Sequence, residues 1–346
     1  MSIVSIFCYI AHNLVSRCWR AARAITQAIV LHWHICALQL GARVAWAFCG
    51  IKAWESRGHS VRQDVAPSTR YIQPYALILG TNEIASAVAV EMRRAGWSVV
   101  LAHDPFPPVI RRKMAFHDVL FGESVVIESI EGVLAEDVLN LLDALNASEH
   151  VVVTPLQLPD LIALRTPEVL IDGRMQMYRV TPDLRHIAPM TIGLGPNFVV
   201  GENCDMAIET KPIRSGRLVK RGSSEKADHV PQRLGGLGKE RFVHASREGL
   251  WHTAVDIGVR VFKDFVVGRL DGLPVCAPID GLVRGVARDG SRIPPGVKVL
   301  EIDPRGRDAQ WTGIDSRSSL IARAVLKAAQ GGNLERAAKS SSSILA

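Results

Sequence analysis

The chain has 346 residues, 48% of them hydrophobic, and a formal net charge of +7. That length allows two or three hydrophobic cores. Five of the positive charges (Arg17, Arg20, Arg23, Arg43 and Lys52) fall in residues 1–54, which hold no acidic residue, so the rest of the chain nets only +2. A near-neutral body without a basic stripe among aromatics speaks against nucleic acid as a partner. Cys8, Cys18, Cys36 and Cys49 lie in the first segment, while Cys204 and Cys276 stand alone. No CxxC pair or zinc-type spacing occurs, which predicts no metal site and a reducing, cytoplasmic setting.

Residues 1–64 carry four of the seven tryptophans, Trp19, Trp33, Trp46 and Trp54. Two readings fit: an extension without a fold of its own, or an interfacial segment touching a membrane through residues 1–54. Residues 65–75 contain Pro67 and Pro74 and read as a linker. A clear unit follows: a strand at Ala76–Leu79, a turn at Gly80, a helix over Ile84–Ala95 and a second strand at Trp97–Ala102. It ends at Asp104, 24 positions after Gly80. The spacing suits a dinucleotide-binding βαβ unit for NAD(P), but the fingerprint is degraded because Asn82 stands where the second glycine belongs. Asn tolerates the left-handed conformation such a turn needs.

The basic run Arg111-Arg112-Lys113 reads as a solvated loop, a helix start or a phosphate contact. Val133–Leu145 has helical apolar spacing, His150–Thr154 is a buried-type strand, Leu158–Leu164 a short helix and Glu168–Asp172 another strand. This alternation predicts a Rossmann-like, mainly parallel α/β sheet over residues 65–190. Asp172 and Arg174, two apart at a strand's carboxyl end, either pair internally or face a ligand.

Residues 191–242 form a glycine-rich connecting region that begins TIGLGPNFVVGENCDMAIET. Gly193, Gly195 and Gly201 make it either a tight corner or the floor of an anion site, with Arg214 a further phosphate candidate. Cys204 is the one cysteine in a glycine-rich turn, hence the candidate for thiol chemistry, although Glu202 and Asp205 beside it oppose a thiolate. Residues 243–303 repeat at an offset of 32: Val243/Val275, Ala245/Ala277, Gly249/Gly281, Gly258/Gly290, Val267/Val299 and Asp271/Asp303. Two such halves predict a barrel-sandwich (biotinyl/lipoyl-like) domain, and the joint Gly268–Val275 lacks the carrier lysine. A helix over Ser316–Gln330, within a C-terminal segment 304–330, and a polar tail at 331–346 complete the chain.

The ordered set ILGTNEIASAVAVEMRRAG, VLIDGRM, IAPMTIGLGPNFVVGENCDMAIET, APIDGLVRG and EIDPRG resembles the selenium-dependent molybdenum hydroxylase system protein family, of YqeB type. That family is associated with xanthine dehydrogenase accessory (XdhC/CoxI) proteins. The resemblance covers about three quarters of the chain. It implies an accessory factor that binds or modifies a molybdopterin-type cofactor and docks on an apo molybdenum hydroxylase. The chain departs from the family pattern at Asn82, Asn197 and Asp264, where glycine is usual. The cofactor candidates are then Gly80, Asn82, Asp104, Asp172, Arg174, Gly193, Gly195, Gly201 and Arg214, with Cys204 for catalysis. The alternatives are an NAD(P)-dependent oxidoreductase using the βαβ unit and a non-catalytic adaptor.

Overall fold

Short apolar runs bounded by glycine, proline and acidic turns become the strands of one large sheet. The computed structural model describes residues 73–146, 149–176 and 181–344, all within the unit Tyr71–Ala346. The expectations for residues 1–64, membrane contact included, lie outside the described residues. Among the described residues, no helix is long and apolar enough to cross a membrane.

In chain order the first part comprises β1 (Tyr75–Leu79), α1 (Glu83–Arg94), β2 (Ser98–Ala102), β3 (Val126–Ile127), β4 (Ile130–Leu134), α2 (Val138–Asn146), β5 (Val151–Thr154), α3 (Leu158–Leu164), β6 (Val169–Asp172), β7 (Thr191–Leu194), β8 (Met206–Ile208) and β9 (Leu218–Val219). These strands form a nine-stranded sheet in the order β3-β4-β5-β2-β1-β6-β7-β8-β9. Neighbours from β4 to β8 run parallel, whereas β3 and β9 pair antiparallel at the two edges.

Alternate residues of the central strands point to opposite faces. Ala76, Ile78, Val99 and Leu101 join a core with α1 and the C-terminal helix α4 (Ser316–Ile344). Tyr75, Leu77, Val100 and Val152 face Leu141 of α2 and Leu161 of α3. Full burial of each large aliphatic side chain contributes roughly 1.5–3 kcal/mol, so both helical layers are held mainly by apolar area. α1 is also locally well specified. Asn82 caps its first turn, Glu83 lies near the positive end of the helix dipole and Arg93 and Arg94 near the negative end.

The second part contains β10 (Phe242–His244), β11 (Gly249–His252), β12 (Arg260–Val261), β13 (Val266–Leu270), β14 (Leu273–Cys276), β15 (Gly281–Val286), β16 (Arg292–Ile293) and β17 (Lys298–Asp303). They make two four-stranded antiparallel sheets, β10-β17-β15-β12 and β14-β13-β11-β16. The 32-residue repeat is expressed in space as an exchange: β11 and β15, β12 and β16, and β13 and β17 are repeat mates lying in opposite sheets. Trp251 of β11 fills the space between the sheets, fully buried, and donates its indole N–H to Ala287 O at 3.0 Å.

This architecture corrects the expected fold class. The protein is a mixed nine-stranded sheet plus two antiparallel sheets, not a Rossmann-like domain followed by a biotinyl-like one. The regular β–α alternation stops after β6, because among the described residues no helix crosses from β6 to β7 or from β7 to β8. The glycine-rich stretch is therefore not a connector. It supplies β7 and β8 to the main sheet.

Two further differences concern charged and terminal segments. Arg111, Arg112 and Lys113 do not form a solvated loop. Arg111 bonds Glu301 at 2.7 Å and Glu83 at 2.8 Å, Arg112 bonds Asp118 at 2.6 Å, and Lys113 pairs with Asp256 at 2.7 Å. The run ties the main sheet to the antiparallel sheets. The helix predicted to stop near Gln330 continues to Ile344.

Candidate functional site

Strand order turns at β1. The chain steps from β1 to β2 and β5 on one side, then returns to lay down β6, β7 and β8 on the other. In open sheets of parallel strands, ligands collect outside the carboxyl ends at such a switch point. Here the turns after β1, β2 and β6 converge.

The first turn is not the one the glycine pattern predicts. Gly80 takes φ +102°, and a Cβ there would lie 3.1 Å from Arg174 Cα and from Gly173 O. Asn82 is not left-handed: at φ −75°, ψ 177° its backbone is extended. Its Oδ1 accepts from Ile84 N and Ala85 N, both at 3.0 Å, and its Nδ2 donates to Gly173 O at 2.7 Å. Asn82 thus caps α1 and clips it to the turn after β6.

That turn carries Asp172 and Arg174. Arg174 Nε and Nη2 donate to the two Asp172 oxygens at 3.0 and 2.6 Å. Donating to the Asp172 carboxylate raises the already high pKa of the guanidinium. Arg174 Nη1 stands 3.8 Å from Asp104 Oδ2, beyond hydrogen-bond distance. Asp104 accepts instead from Phe106 N at 2.9 Å and from Gln176 Nε2 at 2.8 Å, and the same Gln176 amide donates to Phe106 O at 2.8 Å. Beside them a recess of about 10 Å³, space for a single water, is lined by Asp172, Arg174, Gln176, Leu194, Pro196 and Phe198.

A histidine pair adjoins Asp104. His103, at the end of β2, is centred 5.4 Å from the His117 ring, and His117 Nδ1 is 2.9 Å from Thr81 Oγ1. Burial, reinforced by His103, Arg112 and Arg288, pushes His117 down to about 3. Burial also lowers His103, against the pull of Asp104. Both shifts favour the neutral imidazole, and among the described residues the buried His103 Nδ1 has no hydrogen-bond partner. Thr81, His117 and Gln176 stand in no motif or spacing that marks them as site residues. A histidine beside the strand-end acid Asp104 was the available signal for His103.

The remaining candidates divide between several places. Gly195, at φ +97°, lies under Met175 and Thr210 near the carboxyl edge. Gly193 is inside β7, and the Phe198 ring occupies the space a side chain would need. Gly201 lies in the turn leading to the amino end of β8, where its N–H bonds Cys204 O at 2.9 Å. Arg214 is exposed beside β9 and paired with Glu225. Cys204 is buried at the amino end of β8, and burial, then Asp205, push its thiol up to about 12. It is a thiol at neutral pH. Iodoacetamide at pH 8 is expected to spare Cys204 in the folded protein while labelling the half-buried Cys276, read by peptide mass mapping. A carbamidomethylated Cys204 peptide would refute that placement. Among the described residues no group of three His, Cys, Asp or Glu side chains is placed to hold a metal ion.

Fold and site together define a class: an α/β sheet with a polar, charge-paired crevice at its carboxyl edge, joined to a two-sheet β unit. No protein-family profile matches the chain. It is similar to "Uncharacterized protein YqeB" of Escherichia coli K12, at 29% identity over 255 residues, 73% of this chain and 46% of that protein. The chain therefore spans about half the length of the curated relative it matches. Solved structures with a likeness are a succinylglutamate desuccinylase from Silicibacter sp. TM1040 (13% identity, 66% of this chain, 84% of that one, TM-score 0.21) and an aspartoacylase family protein from Mesorhizobium loti (12%, 68%, 87%, TM-score 0.22). At such TM-scores, neither the fold nor the activity of those enzymes passes to this chain.

The YqeB-type resemblance thus stands only as a likeness to an uncharacterized protein. The maturation role it implied is corrected. The comparisons find proteins named as desuccinylase and aspartoacylase, none as a molybdenum hydroxylase accessory factor. The correction extends to the molybdenum-cofactor and xanthine-dehydrogenase associations and to the oxidoreductase and adaptor alternatives.

Proposed function

We propose that the protein binds, on the open surface of the carboxyl-edge turns outside the one-water recess, a small ligand carrying both an anionic group and hydroxyls, of the sugar-phosphate or nucleotide kind. The carrying observation is the Gln176 amide, which donates simultaneously to Asp104 Oδ2 and Phe106 O. It stands where ligand hydroxyls would donate. Arg174 complements this position. Two of its nitrogens are fixed by Asp172, so Nη1 is a pre-oriented donor for a phosphate or carboxylate. Two carboxylates around one guanidinium leave the crevice net negative. An anion without hydroxyl or amine donors is therefore a poor fit.

The test is differential scanning fluorimetry and calorimetry with ribose 5-phosphate, AMP, ADP and NAD as probes. A ligand at 100 times its Kd adds about 2.7 kcal/mol to stability. Arg174→Ala is expected to weaken binding at least tenfold, since a charge-assisted hydrogen bond contributes about 1.5–3 kcal/mol. Gln176→Ala is expected to tighten it several-fold by removing the internal competitor. If none of these probes shifts the melting temperature of the wild type or of Gln176→Ala, the proposal fails.

A further inference from the structure

The main sheet ends at β9, and the chain around that edge is unusually basic. Arg214, Arg217, Lys220 and Arg221 line a groove of about 290 Å³ together with Ser223, Glu209 and Glu225. Residues 55–346 net only +2, so an excess of cations within so few residues is a local feature.

The two carboxylates of the groove are already committed. Glu209 is buried, and its Oε1 accepts the Glu225 backbone N–H at 2.7 Å. Glu225 holds Arg214 and Lys211, and Lys211 is also paired with Asp228 at 2.9 Å. Arg217, Lys220 and Arg221 are exposed and make no ion pair among the described residues. The groove's four cations therefore outnumber its two carboxylates by two, and three of them have no dedicated ion-pair partner among the described residues.

The local fold fixes where they point. Gly216, at φ +82°, turns the chain directly beneath α4, and a Cβ there would come within 2.7 Å of Leu320 O. Gly222, at φ +75°, turns it again. Between these turns the backbone is held by Glu209 N to Arg217 O at 2.9 Å and by β8–β9 pairing. Arg217 stands immediately before β9 and Arg221 in the bend after it, and both line the groove with Lys220. Two guanidinium forks on a rigid edge match the oxygens of a phosphate better than they match a flexible carboxylate chain. The groove's volume is at the low end for small-ligand pockets, about 300–1,000 Å³, and suits a compact ligand.

We propose that this groove is a second anion site, for a small phosphate-bearing ligand, separate from the crevice at Arg174. The argument is independent of the proposed function, because none of the groove's side chains belongs to the crevice.

The probe is inorganic pyrophosphate, titrated calorimetrically into the full chain at 50 and 300 mM salt. One saturable site is expected, weakened at high salt because the exposed cations are screened. The double substitution Arg217→Gln/Arg221→Gln is expected to raise Kd at least tenfold with an unchanged melting temperature. Lys220→Gln should have a smaller effect, and Arg174→Ala none. The inference is overturned if pyrophosphate does not saturate, or if the double variant binds like the wild type. It is equally overturned if single-stranded DNA or a phosphopeptide competes far better than pyrophosphate, since the groove would then serve a macromolecule. Loss of binding in Arg174→Ala instead would place the anion in the crevice and leave the first proposal standing without this one.

Discussion

Glu301→Ala is expected to destabilise the protein by about 3–5 kcal/mol, the range seen when one partner of a buried ion pair is removed. Glu301 lies in β17 with no exposed surface. Its carboxylate is surrounded by three guanidinia: Arg111 through Nε at 2.7 Å and Nη2 at 3.2 Å, Arg284 through Nε at 3.3 Å, and Arg241 through Nη1. Arg241 is itself buried, donates to Gln232 O at 2.7 Å and lies over the Phe242 ring. Without the carboxylate the buried Arg241 would lose its charged partner and be left facing Arg111 and Arg284, which would retain Glu83 and Asp315. For a domain this size each kcal/mol moves the melting temperature by roughly 2–4 °C, so a shift on the order of 10 °C is expected.

The same residue sets an acid limit. Burial alone would raise the Glu301 carboxyl, but Arg111, then Arg284 and Arg241, overcome burial and hold it down at about 2. Because the folded value lies below the ordinary 4.5, this stability is present above pH 4.5 and lost as pH falls toward 2. A shift of that size corresponds to roughly 3 kcal/mol. Urea denaturation of the wild type and Glu301→Gln, followed from pH 7 to pH 2.5, checks both statements. A Glu301→Gln variant that is less stable at pH 7 but has a flatter acid limb is the expected result. Parallel curves would sink the assignment.

The cluster also shows which parts of the structure a sequence can disclose. Local elements were legible: the strand, helix and strand read at Ala76–Leu79, Ile84–Ala95 and Trp97–Ala102 are observed at Tyr75–Leu79, Glu83–Arg94 and Ser98–Ala102. Their periodicity and caps are contained in a short window. Substituted turn positions were legible too. Asn197 and Asp264, read as occupying glycine positions, have φ +71° and +67°. The turn at Asp264 is matched one repeat later by Gly296 at φ +78°.

Pairings between distant segments were not legible. Arg111 meets Glu301 across 190 residues, so a basic run that resembles a solvated loop is an internal fastener. Val133–Leu145 reads as one helix, yet its start belongs to β4, whose parallel partner β5 is what makes it a strand. At the candidate site, Asp104, Asp172 and Arg174 could be placed together by the rule that strand ends gather polar residues. Thr81 and His117, 36 residues apart, gave no periodic or motif signal. The β–α rhythm placed the end of the sheet at residue 190, whereas β7 and β8 continue it, with no helix before either among the described residues.

Gly193 provides the sharpest case of a residue read for one purpose and used for another, and the second large effect is expected there. Gly193→Ala should cost about 3 kcal/mol, near the upper end for overpacking a core. An added Cβ would lie 2.6 Å from Phe198 Cε1 and nearer still to Cγ and Cδ1. The backbone cannot retreat, because β7 is paired on one side with β6 and on the other with β8. Phe198 cannot easily retreat either. It packs with Cys204 and Ala207, and its main chain is held by Ser224 N to Phe198 O at 2.8 Å and by Phe198 N to Ser224 Oγ at 3.1 Å. Phe198→Ala alone should cost a further 3–5 kcal/mol through the cavity it leaves. In the double variant the new methyl occupies part of that cavity, so the combined loss should fall at least 1 kcal/mol short of the sum. Urea midpoints of the four proteins measure this coupling directly. Additive losses, or a Gly193→Ala loss below 0.5 kcal/mol, would show that the ring does not constrain this glycine. Because Phe198 also lines the recess beside Arg174, Gly193→Ala should weaken binding of whichever probe the crevice accepts. Arg217→Gln/Arg221→Gln, acting at β9, should leave that binding unchanged.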